Sequence, residues 1–255
     1  MKKENKKSLK AVYIIACLCL AVCVAVIGVF SFNTIRDTNE NNNIINSAVK
    51  MPETTSEDEE DQQTESSNED GEFSVDWDYL KNENKDIVAW IYIPGTNINY
   101  PVLQGENNNT YLRKNMYHKY SYQGSIFVEQ LNNNPFADFN TIIYGHNLEN
   151  GKMFSQLKKY KKQSYYNKHK YIYVYTPDGN CTRYLIFSFH RVSETDYDVF
   201  NLNYSSFDEC KSAFTKNNMI KADDFEENDV KNVITLSTCD NSRKAQRYVL
   251  HACSF

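Results

Sequence analysis

Residues 11–32 form an almost unbroken apolar run, and in a chain of 255 residues a run of that length divides the molecule before any fold is considered. Roughly 20 apolar residues rising 1.5 Å each cross a hydrocarbon core of about 30 Å. Lys2, Lys3, Lys6, Lys7 and Lys10 precede the run. Flanking positive charge favours a cytoplasmic N-terminus, so everything after residue 32 is expected outside. A cleaved signal peptide is the competing reading. The run is longer than a usual signal-peptide core, however, and no small-x-small cleavage pattern follows it. The expectation is a single-pass, uncleaved transmembrane anchor at 11–32 behind a basic tail at 1–10.

Residues 33–72 are rich in Asn, Ser, Thr, Asp and Glu, and from 51 to 72 there are many acids and no Lys or Arg. Such a segment has too little apolar surface to order itself and reads as a disordered, solvated linker. The net charge of -5 owes much to it. That charge therefore says little about a substrate, and no basic stripe points to a nucleic-acid partner. Of the seven cysteines, Cys17, Cys19 and Cys23 fall in the anchor, leaving Cys181, Cys210, Cys239 and Cys253 for the outer part. A disulfide is permitted outside the cell, but four cysteines do not make a dense framework, and their spacing does not suggest zinc.

From 73 to 255 the pattern changes to short runs of Ile, Val, Tyr and Phe bounded by Gly, Pro, Asn and Asp, the mark of an all-β domain. Strands are expected at 87–93, 98–103, 125–129, 141–144, 171–176, 182–192, 233–238 and 247–252. Pro177, Asp178, Gly179 and Asn180 supply a hairpin turn between two of them. Helices are expected near 75–82, 152–160 and 206–216. The last places Phe207, Cys210 and Phe214 on one face, which makes Cys210 a core residue. Eight strands and few helices fit a closed β-barrel that leaves little unprotected edge.

Cys239 ends the run 233–238 and is followed by the polar turn Asp240-Asn241-Ser242, so its thiol is accessible. Reactivity needs thiolate, and thiolate needs a cationic or hydrogen-bonding neighbour. Among the five histidines, His146 follows the apolar run 141–144 through Gly145, again at a strand end. Arg247 opens the last run, and if the two final strands are neighbours its guanidinium lies near Cys239, where it could hold an oxyanion. Arg243 and Lys244 compete for that role from the intervening loop. Taken singly, Cys239 reads first as a buried, inert cysteine, His146 as readily as a surface turn histidine, and Arg247 also as a solvated loop charge.

Together they resemble a known family. Thr235-Leu236-Ser237-Thr238-Cys239 with Arg247 eight residues on is similar to the signature of sortases. Val88-Ala89-Trp90-Ile91, Ile93-Pro94-Gly95-Thr96, Tyr100-Pro101-Val102, Gly124-Ser125-Ile126-Phe127 and Tyr144-Gly145-His146-Asn147 follow the family in order and spacing. The resemblance covers 73–255. A leading helix near Val75 and a long, helical insertion at 193–230 make it most like class B.

The resemblance implies an eight-stranded sortase β-barrel with a few peripheral helices, and no cofactor or metal. It implies that Cys239 attacks the carbonyl of a Thr within a C-terminal sorting motif of a surface protein, giving a thioester, while His146 protonates the leaving amine and Arg247 stabilises the transition state. An amine of the peptidoglycan precursor then takes the acyl group. Asn108, Leu112 and Ser237 are implied in the peptide groove. A membrane anchor fits this chemistry because confinement raises the effective concentration of two membrane-bound substrates. Two alternatives stay open: a cysteine peptidase with water as acceptor, and a catalytically inactive binding module.

Overall fold

The structure, a computed structural model, describes residues 2–50, 73–240 and 245–255. The chain divides into two compact units, Met1–Asn41 and Asn42–Phe255. Most of helix α1 (Lys2–Ala48) belongs to the first, where its apolar side chains from Val12 to Phe32 are exposed around the helix. A helix apolar on all sides has no face to offer water. It is long and apolar enough to be a candidate membrane span.

The second unit begins with the last turns of α1, and here the expected linker is corrected. Residues 33–48 are helix, and strand β1 (Val49–Lys50) pairs antiparallel with β2 (Ser74–Val75), Val49 opposite Val75. Residues 51–72 lie outside the described residues. The physical reason is burial. Ile44, Ala48 and Val49 sit in one apolar cluster with Phe73, Leu80, Ile87 and Trp90, so they gain a partner that composition alone does not reveal. Asp76 accepts a hydrogen bond from the Tyr79 amide (2.9 Å) and starts α2 (Trp77–Glu83) just after the pairing. A chain truncated to begin at Phe73 is therefore expected to be less stable than one beginning at Asn42. Burying an Ile or Val side chain is worth about 1.5–3 kcal/mol, so the melting temperatures of the two fragments should separate clearly in a thermal scan.

The barrel is built from β3 (Ile87–Tyr92), β4 (Asn99–Leu103), β5 (Ile126–Val128), β6 (Asn140–Tyr144), β7 (Tyr171–Tyr175), β8 (Cys181–Ser193), β9 (Asn232–Cys239) and β10 (Gln246–Ser254). It closes in the order β10-β8-β7-β3-β4-β5-β6-β9. All eight expected strands are present. The pairs β4–β5 and β6–β9 run parallel, and the other neighbours antiparallel. The core is packed with Ile91, Val102, Ile143, Phe189, Leu236 and Leu250 among others.

The helix expected near 152–160 is instead a 3₁₀ helix, Phe154–Lys161, which leads into α3 (Gln163–Lys168). Its buried side chains Phe154, Leu157 and Tyr160 recur every third residue. Three residues per turn stacks them in one line against the barrel, which an α-helix would not. The expected helix near 206–216 is α4 (Phe207–Thr215), with Phe207, Cys210 and Phe214 buried. The insertion 193–230 is less helical than expected. Beyond α4 it holds only a short 3₁₀ turn, Glu227–Asp229. Asp196 accepts from the Val199 amide (3.2 Å) and Asn201 from the Asn203 amide (2.9 Å), local bonds that compete with helix formation.

Candidate active site

Strand register brings the candidate residues together. β6 and β9 run parallel with Thr141 opposite Ile234 and Tyr144 opposite Ser237. The Gly145 amide extends the ladder by donating to the Ser237 carbonyl (3.2 Å). His146 and Cys239 each lie two residues beyond that last pair, so one register delivers imidazole and thiol to the same end of the barrel. On the other side of β9, β10 runs antiparallel with Arg247 directly opposite Cys239. Its Nη1 stands 3.8 Å from Cys239 Sγ. The competing Arg243 and Lys244 lie outside the described residues.

Two glycines permit this geometry. A Cβ on Gly145 would lie 2.5 Å from Ile126 Cδ1 and 2.7 Å from the Phe154 ring, so the turn that presents His146 can pack only without a side chain. Gly124 has φ +61, and a Cβ there would lie 2.6 Å from the Leu112 carbonyl oxygen. That carbonyl accepts a hydrogen bond from His146 Nε2 at 2.8 Å. A carbonyl can only accept, so the bond keeps the proton on Nε2 and leaves Nδ1 as the nitrogen that gains or loses one. Burial holds the imidazole below its ordinary value; the Leu112 bond opposes this, and the Arg113 and Arg247 charges add to it.

Cys239, His146 and Arg247 line a cleft of about 400 Å³. Asn108, Leu112, Phe127 and Tyr144 line it as well, as do Glu194–Tyr197 and Phe200. Asn108 is held in place. Its Nδ2 donates to both oxygens of Glu129 (2.8 and 2.7 Å), while its Oδ1 accepts from the Gln130 amide (2.9 Å). Tyr144 donates to Glu129 as well (2.9 Å) and lies under the Arg247 guanidinium, 5.8 Å from ring centroid to Cζ. Asn147 Nδ2 donates to the Cys239 carbonyl (2.8 Å) and ties the two strand ends. Ser237 is different: it is fully buried, does not line the cleft, and its hydroxyl has no hydrogen-bond partner among the described residues.

The other cysteines and histidines are placed elsewhere. Cys210 and Cys253 are buried, which pushes each thiol up to about 12, and Cys181 lies exposed at the start of β8. None of the seven cysteines is joined in a disulfide. His190 and His251 are wholly buried on the outer side of the barrel wall, His251 stacked on Phe214 of α4 and His190 bonded to the Lys216 carbonyl, and His169 bonds the Pro94 carbonyl. The residues that sequence reasoning missed come mostly from the segment after β8. Glu194, Asp196, Tyr197 and Phe200 reach the cleft through a loop whose course no local pattern announces.

A family model of the sortase domain matches residues 91–254. The chain belongs to the sortase family. Sortase B of Listeria monocytogenes is 32% identical over 191 residues, covering 71% of this chain and 73% of that one. The structure resembles a Staphylococcus aureus sortase B–substrate complex, with TM-score 0.64 and 32% identity over 70% of this chain and 84% of the other. It resembles equally a sortase B complexed with triglycine, with TM-score 0.64 and 31% identity over 70% of this chain and 85% of that chain. These likenesses place the chain in class B, whose members are cysteine transpeptidases. The closed eight-stranded barrel is thus a sortase barrel, and the cleft at its rim is the place to look for sortase chemistry.

Proposed function

We propose that this sortase cleaves a C-terminal sorting motif of surface proteins and transfers the new Thr carbonyl to an amine of the peptidoglycan precursor, with Cys239 as nucleophile, His146 as acid and base, and Arg247 as oxyanion stabiliser. The observation that carries the reading is the meeting of thiol, imidazole and guanidinium in one cleft, with Arg247 Nη1 3.8 Å from Cys239 Sγ. The Cys239 thiolate adds to the Thr carbonyl carbon. The C–N bond then breaks, His146 Nδ1 delivers a proton to the departing amine, and a thioester remains on Cys239. An incoming amine adds to that thioester, gives up a proton to His146 and expels the thiolate. Arg247 donates to the carbonyl oxygen as charge gathers there, a contribution of about two orders of magnitude in rate. Asn108 and Leu112, in the cleft wall, contact the peptide; Ser237 acts from beneath, through the strand that carries the nucleophile.

Two features support the substrate and acceptor classes. Related sortase B structures hold a substrate and triglycine respectively, the latter a short chain with a free amine. The apolar helix fits a single-pass anchor with its lysine-rich start in the cytoplasm and the catalytic barrel outside. The test is mass spectrometry of the full chain incubated with a panel of fluorogenic Thr-containing peptides, with and without triglycine. A thioester adduct on Cys239 and a triglycine-ligated product support transpeptidation. Cleavage that ignores triglycine and yields only free acid would mean water is the acceptor, and the absence of any adduct would remove Cys239 from the role.

A further inference from the structure

Three adjacent strands set a thiol, a guanidinium and a carboxylate side by side. Arg247 on β10 faces Cys239 on β9 and Val192 on β8. The β8–β10 ladder continues one step past its last strand pair, Ser193 opposite Gln246, because the Glu194 amide donates to the Ala245 carbonyl at 3.0 Å. Residues 192 and 194 share a face of the sheet, so Glu194 is the diagonal neighbour of Arg247, a separation long side chains can span. Glu194 Oε2 lies 3.9 Å from Arg247 Nη2, while the other terminal nitrogen, Nη1, is directed at Cys239 Sγ. The guanidinium thus has a partner at each end of its fork.

The acid next to the nucleophile in sequence does not serve this purpose. Strand alternation sends Asp240 to the opposite face, where its nearly buried carboxylate stands 3.4 Å from Arg191 Nη1. Glu194 is about half exposed. A pair of that kind adds little to stability; its value lies in choosing one direction for a side chain with many rotamers.

We infer that Glu194 is a positioning residue for the transpeptidation reaction: it anchors the far side of the Arg247 guanidinium so that the near side stays over the Cys239 thiol as the oxyanion forms. The inference rests on the reading of Cys239 and Arg247 given above. Glu194 also lines the cleft, so the anchor stands where an arriving peptide would meet it.

The experiment is steady-state kinetics of the full chain with the fluorogenic peptide that the wild type cleaves fastest, comparing Glu194→Gln, Glu194→Asp and Arg247→Ala, each checked for melting temperature. Misplacing a catalytic group by about 1 Å can cost 10²-fold, so Glu194→Gln is expected to lower kcat roughly ten- to hundredfold. KM should stay near the wild-type value, and Glu194→Asp, which keeps the charge, should recover part of the loss. Wild-type kcat in Glu194→Gln, or a raised KM with kcat intact, overturns the positioning role while leaving the nucleophile and arginine as assigned. A fall in kcat that Glu194→Asp does not relieve, accompanied by a lower melting temperature, marks a structural role and likewise overturns it. Wild-type turnover in Arg247→Ala would overturn the reading of Arg247 itself and the positioning role with it.

Discussion

Cys239→Ala is expected to abolish turnover, by at least about 10⁴-fold given what loss of a nucleophile costs enzymes that work through covalent intermediates. No other thiol can substitute. Cys210 and Cys253 are buried with thiols pushed up to about 12, so neither supplies thiolate near neutral pH. Cys181 is exposed but does not line the cleft. The substitution should leave the fold alone, because Cys239 ends β9 with its side chain in solvent rather than in the core. Intact-mass spectra of the variant should show no acyl adduct and its melting temperature should match the wild type. Residual thioester or unchanged cleavage would move the nucleophile elsewhere.

His146→Ala should cost about 10²- to 10⁴-fold in kcat, the usual contribution of a positioned general acid and base. The pH dependence has a definite sign. Burial, reinforced by Arg113 and Arg247, holds the imidazole below 6.5, so the imidazolium is the minority form at neutral pH and is lost as pH rises through that lowered value. A stability effect follows from the same shift. Between the unfolded value near 6.5 and the lower folded one, the unfolded chain binds the extra proton; stability is therefore full above about 6.5 and falls as pH drops through the folded value. His146→Gln, which cannot take that proton, should flatten this part of the curve of melting temperature against pH. An imidazole that titrates above 6.5 by NMR would contradict the account.

Much of the barrel was legible because its evidence is local. Runs such as 171–176 and 182–192 are rich in β-branched and aromatic residues and flank a Pro-Asp-Gly-Asn turn, and they form β7 and β8 as expected. Cys239, His146 and Arg247 were legible as strand ends, and the register of β6, β9 and β10 explains why strand ends meet. What was hidden is what tertiary partners decide. Residues 33–50 read as a solvated linker because Ile44, Ala48 and Val49 are sparse among polar neighbours, and only the cluster around Trp90 gives them a place. The 3₁₀ geometry of Phe154–Lys161 follows from the barrel wall it lies against. Glu194 could have been found by carrying the β8 pairing one residue further, but the pairing itself, between segments about fifty residues apart, is not written in either segment.

The parallel pairing of β6 with β9 also governs when the chain becomes chemically competent. His146 and Cys239 are 93 residues apart in sequence and are brought together by a parallel contact, with the β9–β10 pairing completing the ring. Contacts of such long range must wait for loop-closure entropy to be overcome, so they form late in folding. A half-folded chain therefore carries Cys239 with neither imidazole nor guanidinium beside it. With the catalytic roles proposed above, activity would arise only with ring closure, so maturation of the enzyme and completion of its fold would be a single event.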